Sequence, residues 1–316
     1  MFDYAQEFEL LARAYEQSGG NPQELQNQQQ GLLVVSGNHI LGKQDIPGLV
    51  IEGESLSDGA QAKILVKAHT HIAQPVHLCF GVLPVEGVQR IVADFILEED
   101  ARATFLAHCM FPNAVKVQHI MTGTINIGSQ ARMEYSETHY HGELGGVEVL
   151  PTISANIGPG GVYISTFKLI DGAAGKVRLD YDAAVQERGV VELYAKIYGK
   201  HLDDITVRES IALNGDNARG LAKSRIVLRE CAKAEVLGEV VGNGPHTRGH
   251  VDCMEIVQGK HAKASALPCL KVVDDTAKLT HEAAIGSVDK RQVETLMARG
   301  LSEQEAVDVI VKGILK

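Results

Sequence analysis

The hydrophobic pattern divides the chain into three stretches. In residues 3–17, apolar side chains fall at Tyr4, Phe8, Leu11, Ala12 and Tyr15, the spacing of one face of a short amphipathic helix. Gly19-Gly20 and Asn21-Pro22 end it, and a glutamine-rich polar segment runs on to Gln30. From residue 31 the period changes. Short runs of β-formers recur at 32–35, 49–52, 63–67, 76–83, 91–96, 104–107, 125–127, 161–170, 177–181, 190–198, 205–213, 224–228 and 234–241, punctuated by Gly, Asp and Asn. The stretches between them are mostly too short for the crossover helices of an α/β protein. The tail turns helical again. Asp289 is placed to cap a helix through Val293, Leu296 and Met297, with Gly300 as its stop. Ser302 and Glu305 form a capping box for a second helix with an apolar stripe at Ala306, Val307, Ile310, Val311 and Ile314. That stripe either docks on the β body or faces another protein, docking being the ordinary outcome.

A weak self-similarity runs through the β stretch. Gly59-Ala60-Gln61-Ala62, Asp100-Ala101-Arg102-Ala103, Ser129-Gln130-Ala131-Arg132, Cys231-Ala232-Lys233-Ala234 and Lys260-His261-Ala262-Lys263 each read as a turn with small residues leading into a strand. The spacing is ragged and fixes no period. Quasi-repeats of this kind bury their faces only against neighbouring repeats. The pattern therefore points to an all-β core in the form of a stacked solenoid, a right-handed parallel β-helix, with a short helical N-terminus and a C-terminal helix pair. A large β-sandwich or jelly roll is the alternative. The corresponding division is a helical segment over 1–30, a β-helix core over 31–285 and a helical segment over 286–316.

Composition narrows the partners. Of 316 residues 45% are hydrophobic and 22% charged, enough apolar material for one large core. The net charge of −10 argues against a nucleic-acid surface, which needs a basic face to replace counterions. Cys79, Cys109, Cys231, Cys253 and Cys269 are odd in number, widely spaced and free of CxxC, unlike a secreted disulfide framework. No signal-peptide pattern opens the chain, and no apolar run approaches the ~18 residues of a membrane span. The expectation is a cytoplasmic protein with reduced thiols and no membrane partner.

Few motifs survive scrutiny. Gly37 to Gln44 matches the Gly and Lys positions of a P-loop, but Gln44 stands where Ser or Thr would hold magnesium, and Pro47 disfavours the helix that should follow. It reads as a turn between strands, so no nucleotide site is expected. His69 and His71, and His139 and His141, alternate on strands as some metal sites do, but the third ligand such a site needs is not evident, and they read as surface histidines. His108 and Cys109 are adjacent, hence on opposite faces of a strand. What remains is Gly249-His250-Val251-Asp252-Cys253 and, later, Thr280-His281-Glu282. Thiolate, imidazole and carboxylate together are a ligand set for iron or zinc. A buried packing cysteine is the plainer reading of Cys253.

The stretch from Gly249 to Leu315 resembles the C-terminal part of the SufB/SufD family, the scaffold proteins of SUF-system iron–sulfur cluster assembly. The resemblance is carried by Gly249-His250-Val251-Asp252-Cys253, by Ala266-Leu267-Pro268, by Leu279-Thr280-His281-Glu282-Ala283-Ala284-Ile285-Gly286 and by Ala298-Arg299-Gly300-Leu301-Ser302-Glu303-Gln304-Glu305-Ala306. It implies a right-handed parallel β-helix with helical ends and a scaffold without turnover of its own. It also implies pairing with a second SufB/SufD-type protomer through the C-terminal β-helix, and terminal helices, here 286–316, that bind a SufC-type ABC ATPase. By resemblance Cys253, His281 and Glu282 stand where the SufB branch keeps its cluster-assembly residues, with His250 as a neighbour. They would ligate a transient iron–sulfur cluster. Thr280 replaces the acidic residue frequent before that histidine, and the chain reads as a short form lacking the long N-terminal region of SufB, so the branch stays open. The rival expectation is a β-helical carbohydrate-active or structural binding protein with no cluster chemistry.

Overall fold

The computed structural model describes residues 4–315. Helix α1 (Tyr4–Gln17) and a 3-10 turn (Pro22–Gln26) open the chain, as the sequence pattern led one to expect. Nineteen strands follow: β1 (Leu32–Ser36), β2 (His39–Gln44), β3 (Leu49–Leu56), β4 (Gly59–Val66), β5 (Val76–Gly81), β6 (Glu86–Leu97), β7 (Arg102–Phe111), β8 (Lys116–Ile127), β9 (Arg132–His141), β10 (Val147–Ile157), β11 (Val162–Asp171), β12 (Lys176–Val185), β13 (Val190–Gly199), β14 (Asp204–Leu213), β15 (Arg219–Arg229), β16 (Lys233–Gly242), β17 (Arg248–Gln258), β18 (Lys263–Val272) and β19 (Lys278–Gly286). Helices α2 (Lys290–Met297) and α3 (Glu303–Leu315) close it.

From β5 onward, strands go alternately to two sheets, and within each sheet every pairing is parallel. The chain thus winds as a flattened parallel β-solenoid, one strand per sheet per turn. Arg102, Arg132, Val162, Val190, Arg219, Arg248 and Lys278 stand in register in successive strands, so a turn takes 28 to 30 residues. In β14 every second residue is buried, Ile205, Val207, Glu209, Ile211 and Leu213 facing inward. This alternation places one row of each strand in a continuous core between the sheets. The first turns depart from the expected pattern. β1–β2 and β3–β4 are antiparallel hairpins, and β2 and β3 are the end strands of the two sheets. The P-loop-like segment is the turn and second strand of the first hairpin, with Gly37 at φ +56°, not a loop opening a helix.

The corners explain the ragged repeat. Asp100, Gln130, Gly160, Arg188, Asn217 and His246 all have positive φ, between 50° and 65°. Each is followed by a small residue: Ala101, Ala131, Gly161, Gly189, Ala218 or Thr247. The backbone N–H of Ala101 closes the turn on the Glu98 carbonyl (3.1 Å), as that of Ala131 does on Gly128 and that of Ala218 on Gly215. What repeats is a conformation and a size limit, which several residue types satisfy.

The two ends differ. α1 lays Leu11, Ala14 and Tyr15 against Val34, Cys79 and Met110 on the outside of the first sheet. α3 docks Val307, Val311 and Leu315 on Tyr198, Val227 and Ile256, so the apolar stripe of the tail is largely spent on its own chain. Arg229 pins the helix through Asp308 (3.1 Å). The capping box forms, Glu305 accepting from the Ser302 N–H at 2.8 Å. Placing a charge at fully buried Val311 should undock α3, since an unpaired buried carboxylate costs several kcal/mol. For Val311→Asp, trypsin is expected to cut near Arg299 and Lys312 while the β-sheet circular dichroism persists. Equal protease resistance of variant and wild type would show that the docking is not what holds the helix.

Candidate functional site

β17 carries Cys253. Its inward row runs Gly249, Val251, Cys253 and Glu255, and the outward row His250, Asp252 and Met254. Gly249 is needed because the core is thin there: a Cβ would come within 2.5 Å of Val240 Cγ1 and 2.9 Å of Leu279 Cδ2. Cys253 is buried, flanked in register by Ser224 on β15 and by Ala283 on β19. Burial pushes the thiol up to about 11, and the nearby carboxylates of Glu255 and Glu209 add to this. At neutral pH the group is therefore a protonated thiol. Glu255, two places along the same row, is raised to about 7 by burial. Its Oε1 accepts from Ser224 Oγ at 3.1 Å, while its buried Oε2 has no hydrogen-bond partner. Glu209 is pushed up to about 8, also by burial.

β19 is the end strand of its sheet, as β18 is of the other. His281 stands in register with Val251 and so belongs to the inward row, one step from the position beside Cys253. Glu282 stands in register with Asp252 and so lies on the outward face. There Asp252 is already held by Arg225 (Nη2–Oδ2 2.6 Å) and Lys223 (3.1 Å). His250 Nδ1 contacts Thr280 Oγ1 at 2.8 Å, also outside. Within one chain the structure thus brings Cys253 and His281 to one side of the sheet, and His250 and Glu282 to the other. The same alternation that separates His108 from Cys109 separates His281 from Glu282, and this was readable from their adjacency. Both His281 and Glu282 are exposed, on a strand whose outer backbone edge is unpaired. Leu267, Val272, Val273 and Ile285 are more than half exposed around this open end. Cys269 lies on β18, exposed, in register with Glu239.

Two histidine pairs are corrected. His139 and His141 are not surface groups but are buried inside the solenoid, with Glu137 between the sheets. Sequence parity could have shown it, since they share the row of Met133 and Tyr135. His69 and His71 sit instead at an exposed corner around Asp100, His71 at 3.3 Å, with His69 at positive φ rather than on a strand.

The chain matches a family model described as the SufBD core domain of SUF-system FeS cluster assembly over residues 88–314. It is 37% identical over 305 residues to an iron–sulfur cluster assembly SufBD family protein of Methanocaldococcus jannaschii, covering 96% of each chain. A SufBD family protein of Pyrococcus horikoshii is 33% identical over 313 residues, 99% of this chain and 95% of that one. The iron–sulfur cluster assembly protein SufB of Bacillus subtilis is 26% identical over 160 residues, 48% of this chain and 34% of that protein. Among the described residues no helix is long and apolar enough to cross a membrane.

Proposed function

Because the chain belongs to the SufBD family of iron–sulfur cluster assembly proteins, we propose that it is a scaffold on which a cluster is built at an interface between two protomers. The observation that carries this reading is the placement of Cys253, the only inward thiol of the last turns among the described residues, one strand from an open solenoid end. Cys253 is sealed by a single strand, β19, whose far edge has no partner strand among the described residues. Solenoid ends normally need a cap, and exposed apolar positions with unpaired strand edges suit a second chain. One chain offers too few ligands in one place for a cubane. A second protomer against β18 and β19 would bring its own set.

In this reading Cys253, after losing its proton, ligates iron as a thiolate or attacks the outer sulfur of a donor persulfide, whose own thiolate leaves. Glu255, whose free buried oxygen lies in the same row, is the acceptor within the chain. His281 supplies the second inward ligand. Glu282 on β19 and His250 on β17 face the outer side of the sheet beside its end strand, where a partner would meet them. The iron and sulfide are cargo, and the transient cluster is handed on.

The ATPase of this reading docks on residues 286–316. Since α3 spends its stripe on the solenoid, the available surface is the outside of the helix pair, where Met297 and Val309 are exposed. A Met297→Asp variant should lose co-purification with a SufC-type ATPase and keep its melting temperature. Retained co-purification would move the docking site elsewhere.

Anaerobic reconstitution with ferrous iron and sulfide tests the scaffold role. A visible chromophore with about one cluster per two chains is expected. Iron that leaves on desalting, with no charge-transfer absorption, would remove the reading.

A further inference from the structure

We infer that the interior of the solenoid, far from the open end, holds a closed site for a divalent transition ion of the zinc class, built on Cys109, Glu137 and His139, with His119 beside the sulfur as its fourth ligand. The inference is independent of the scaffold reading and uses none of its residues. Cys109 and His139 are direct neighbours in register on β7 and β9, and Glu137 precedes His139 in the same inward row. His119 comes from β8 in the facing sheet. All four are at most 2% exposed.

The distances suit a small ion. Cys109 Sγ lies 3.6 Å from His119 Nε2 and 3.8 Å from Glu137 Oε1. The sulfur, a Glu137 oxygen and a ring nitrogen of His139 all fall within 4.8 Å of one another, a group that His119 does not join, so its ring must move in toward the ion to complete the set. Zinc bonds of about 2.3 Å to sulfur and about 2.1 Å to nitrogen or oxygen, at tetrahedral angles, need sulfur edges of about 3.6 Å and nitrogen–oxygen edges of about 3.4 Å. Two of the three sulfur edges are present, and the third, to His139, is within 4.8 Å. The Glu137–His139 contact, 2.6 Å, would open to admit the ion.

Hydrogen bonds at both ends aim the ring lone pairs inward. Gln89 donates through Nε2 to the carbonyls of Gly37 and Gly81, each at 3.0 Å, so its Oε1 can only accept. His119 Nδ1, 3.1 Å away, must then carry a proton, which leaves its Nε2 lone pair facing Cys109. On the other side His141 Nδ1 donates to the Ala173 carbonyl at 3.0 Å. Its Nε2 therefore accepts from His139 Nδ1 at 3.3 Å, which turns His139 Nε2 toward Glu137 Oε1 at 2.6 Å. Rings held in this way by an outer hydrogen bond are how proteins orient metal ligands. The proton held between Nε2 and Oε1 in that contact is what a cation would replace.

Charge agrees. A dication with one thiolate, one carboxylate and two neutral imidazoles is neutral overall, which the surrounding Phe111 and Phe167 rings require. Binding releases two protons, one from the Cys109 thiol and one shared by Glu137 and His139. No ligand is open to solvent, so the ion enters as the chain folds.

The full chain is therefore to be expressed in zinc-replete medium, and separately in cobalt-supplemented minimal medium, and its metal measured after chelator dialysis. About one zinc or cobalt per chain is expected. The cobalt form should show visible bands of tetrahedral intensity and a near-ultraviolet thiolate charge-transfer band. Cys253→Ala should keep both, and Cys109→Ser should lose the charge-transfer band. Gln89→Ala, which keeps every ligand but frees the His119 ring, should lose metal to chelator about tenfold faster. Wild-type protein without stoichiometric metal, or a Cys109→Ser form with the wild-type spectrum, overturns the proposal.

Discussion

Cys253→Ala is expected to abolish cluster formation on anaerobic reconstitution while leaving the fold intact. The two halves of this expectation have separate grounds. The thiol is the one soft ligand of the inward row near the open end, and neither Ser224 nor Ala283 beside it can bind iron through a thiolate. Loss of a first ligand should cost at least the ten- to hundredfold that outer-sphere changes cost elsewhere. The cost to folding is small, because one sulfur atom is removed from between two small neighbours, for a loss of about 1 kcal/mol. His281→Ala should lower the cluster yield with almost no change in melting temperature, since its side chain is exposed. The pair of variants separates chemistry from packing. If Cys253→Ala forms the same chromophore as wild type, Cys253 is a packing residue and the cluster is built elsewhere.

The outcome for the rest of the chain shows which signals reach the sequence level. From β11 to β17 inward and outward residues alternate in the structure. In the sequence the alternation is partial, so the pattern left a sandwich open, and the resemblance of the C-terminal stretch did most to favour the solenoid. The helical preface and tail pair were read from helical spacing. The opening hairpins could not, because His39 to Gln44 is only partly buried and carries no clean alternation. The repeat length was hidden because a corner asks only for one residue that tolerates positive φ and one small successor. Asp-Ala, Gln-Ala, Arg-Gly and Asn-Ala all comply. At the open end the residues were legible and their sides were not used: His281 and Glu282 are neighbours in a strand and cannot share a face. Inside, the His139–His141 pair was visible, but its companions Cys109 and His119 come from two other strands in two sheets. Only the winding of the chain brings them together.

Glu209→Gln is expected to raise stability in alkaline solution and to flatten its dependence on pH. Glu209 faces the interior from β14, in register with Tyr181 and Gly238, fully buried with no cation beside it. Burial lifts its carboxyl from 4.5 to about 8. Below about pH 4.5 the group is protonated folded or unfolded, and contributes no penalty. Between 4.5 and 8 the unfolded chain releases the proton while the folded one keeps it, so stability falls as pH rises and the full loss is reached above about 8. At 1.36 kcal/mol per unit the loss is at most about 5 kcal/mol. Glu255, raised to about 7, adds a smaller loss of the same sign. Cys253 and Tyr181 ionise later and in the same direction, so the wild-type curve alone would not isolate Glu209. The difference between the two proteins does. Denaturant unfolding at pH 5 and pH 9 should give similar stabilities at the lower value and a gain of about 2 to 4 kcal/mol for the variant at the higher one. Parallel curves would mean that water or a neighbouring donor already solvates the carboxylate, and the interior around Cys253 would then be wetter than its packing implies.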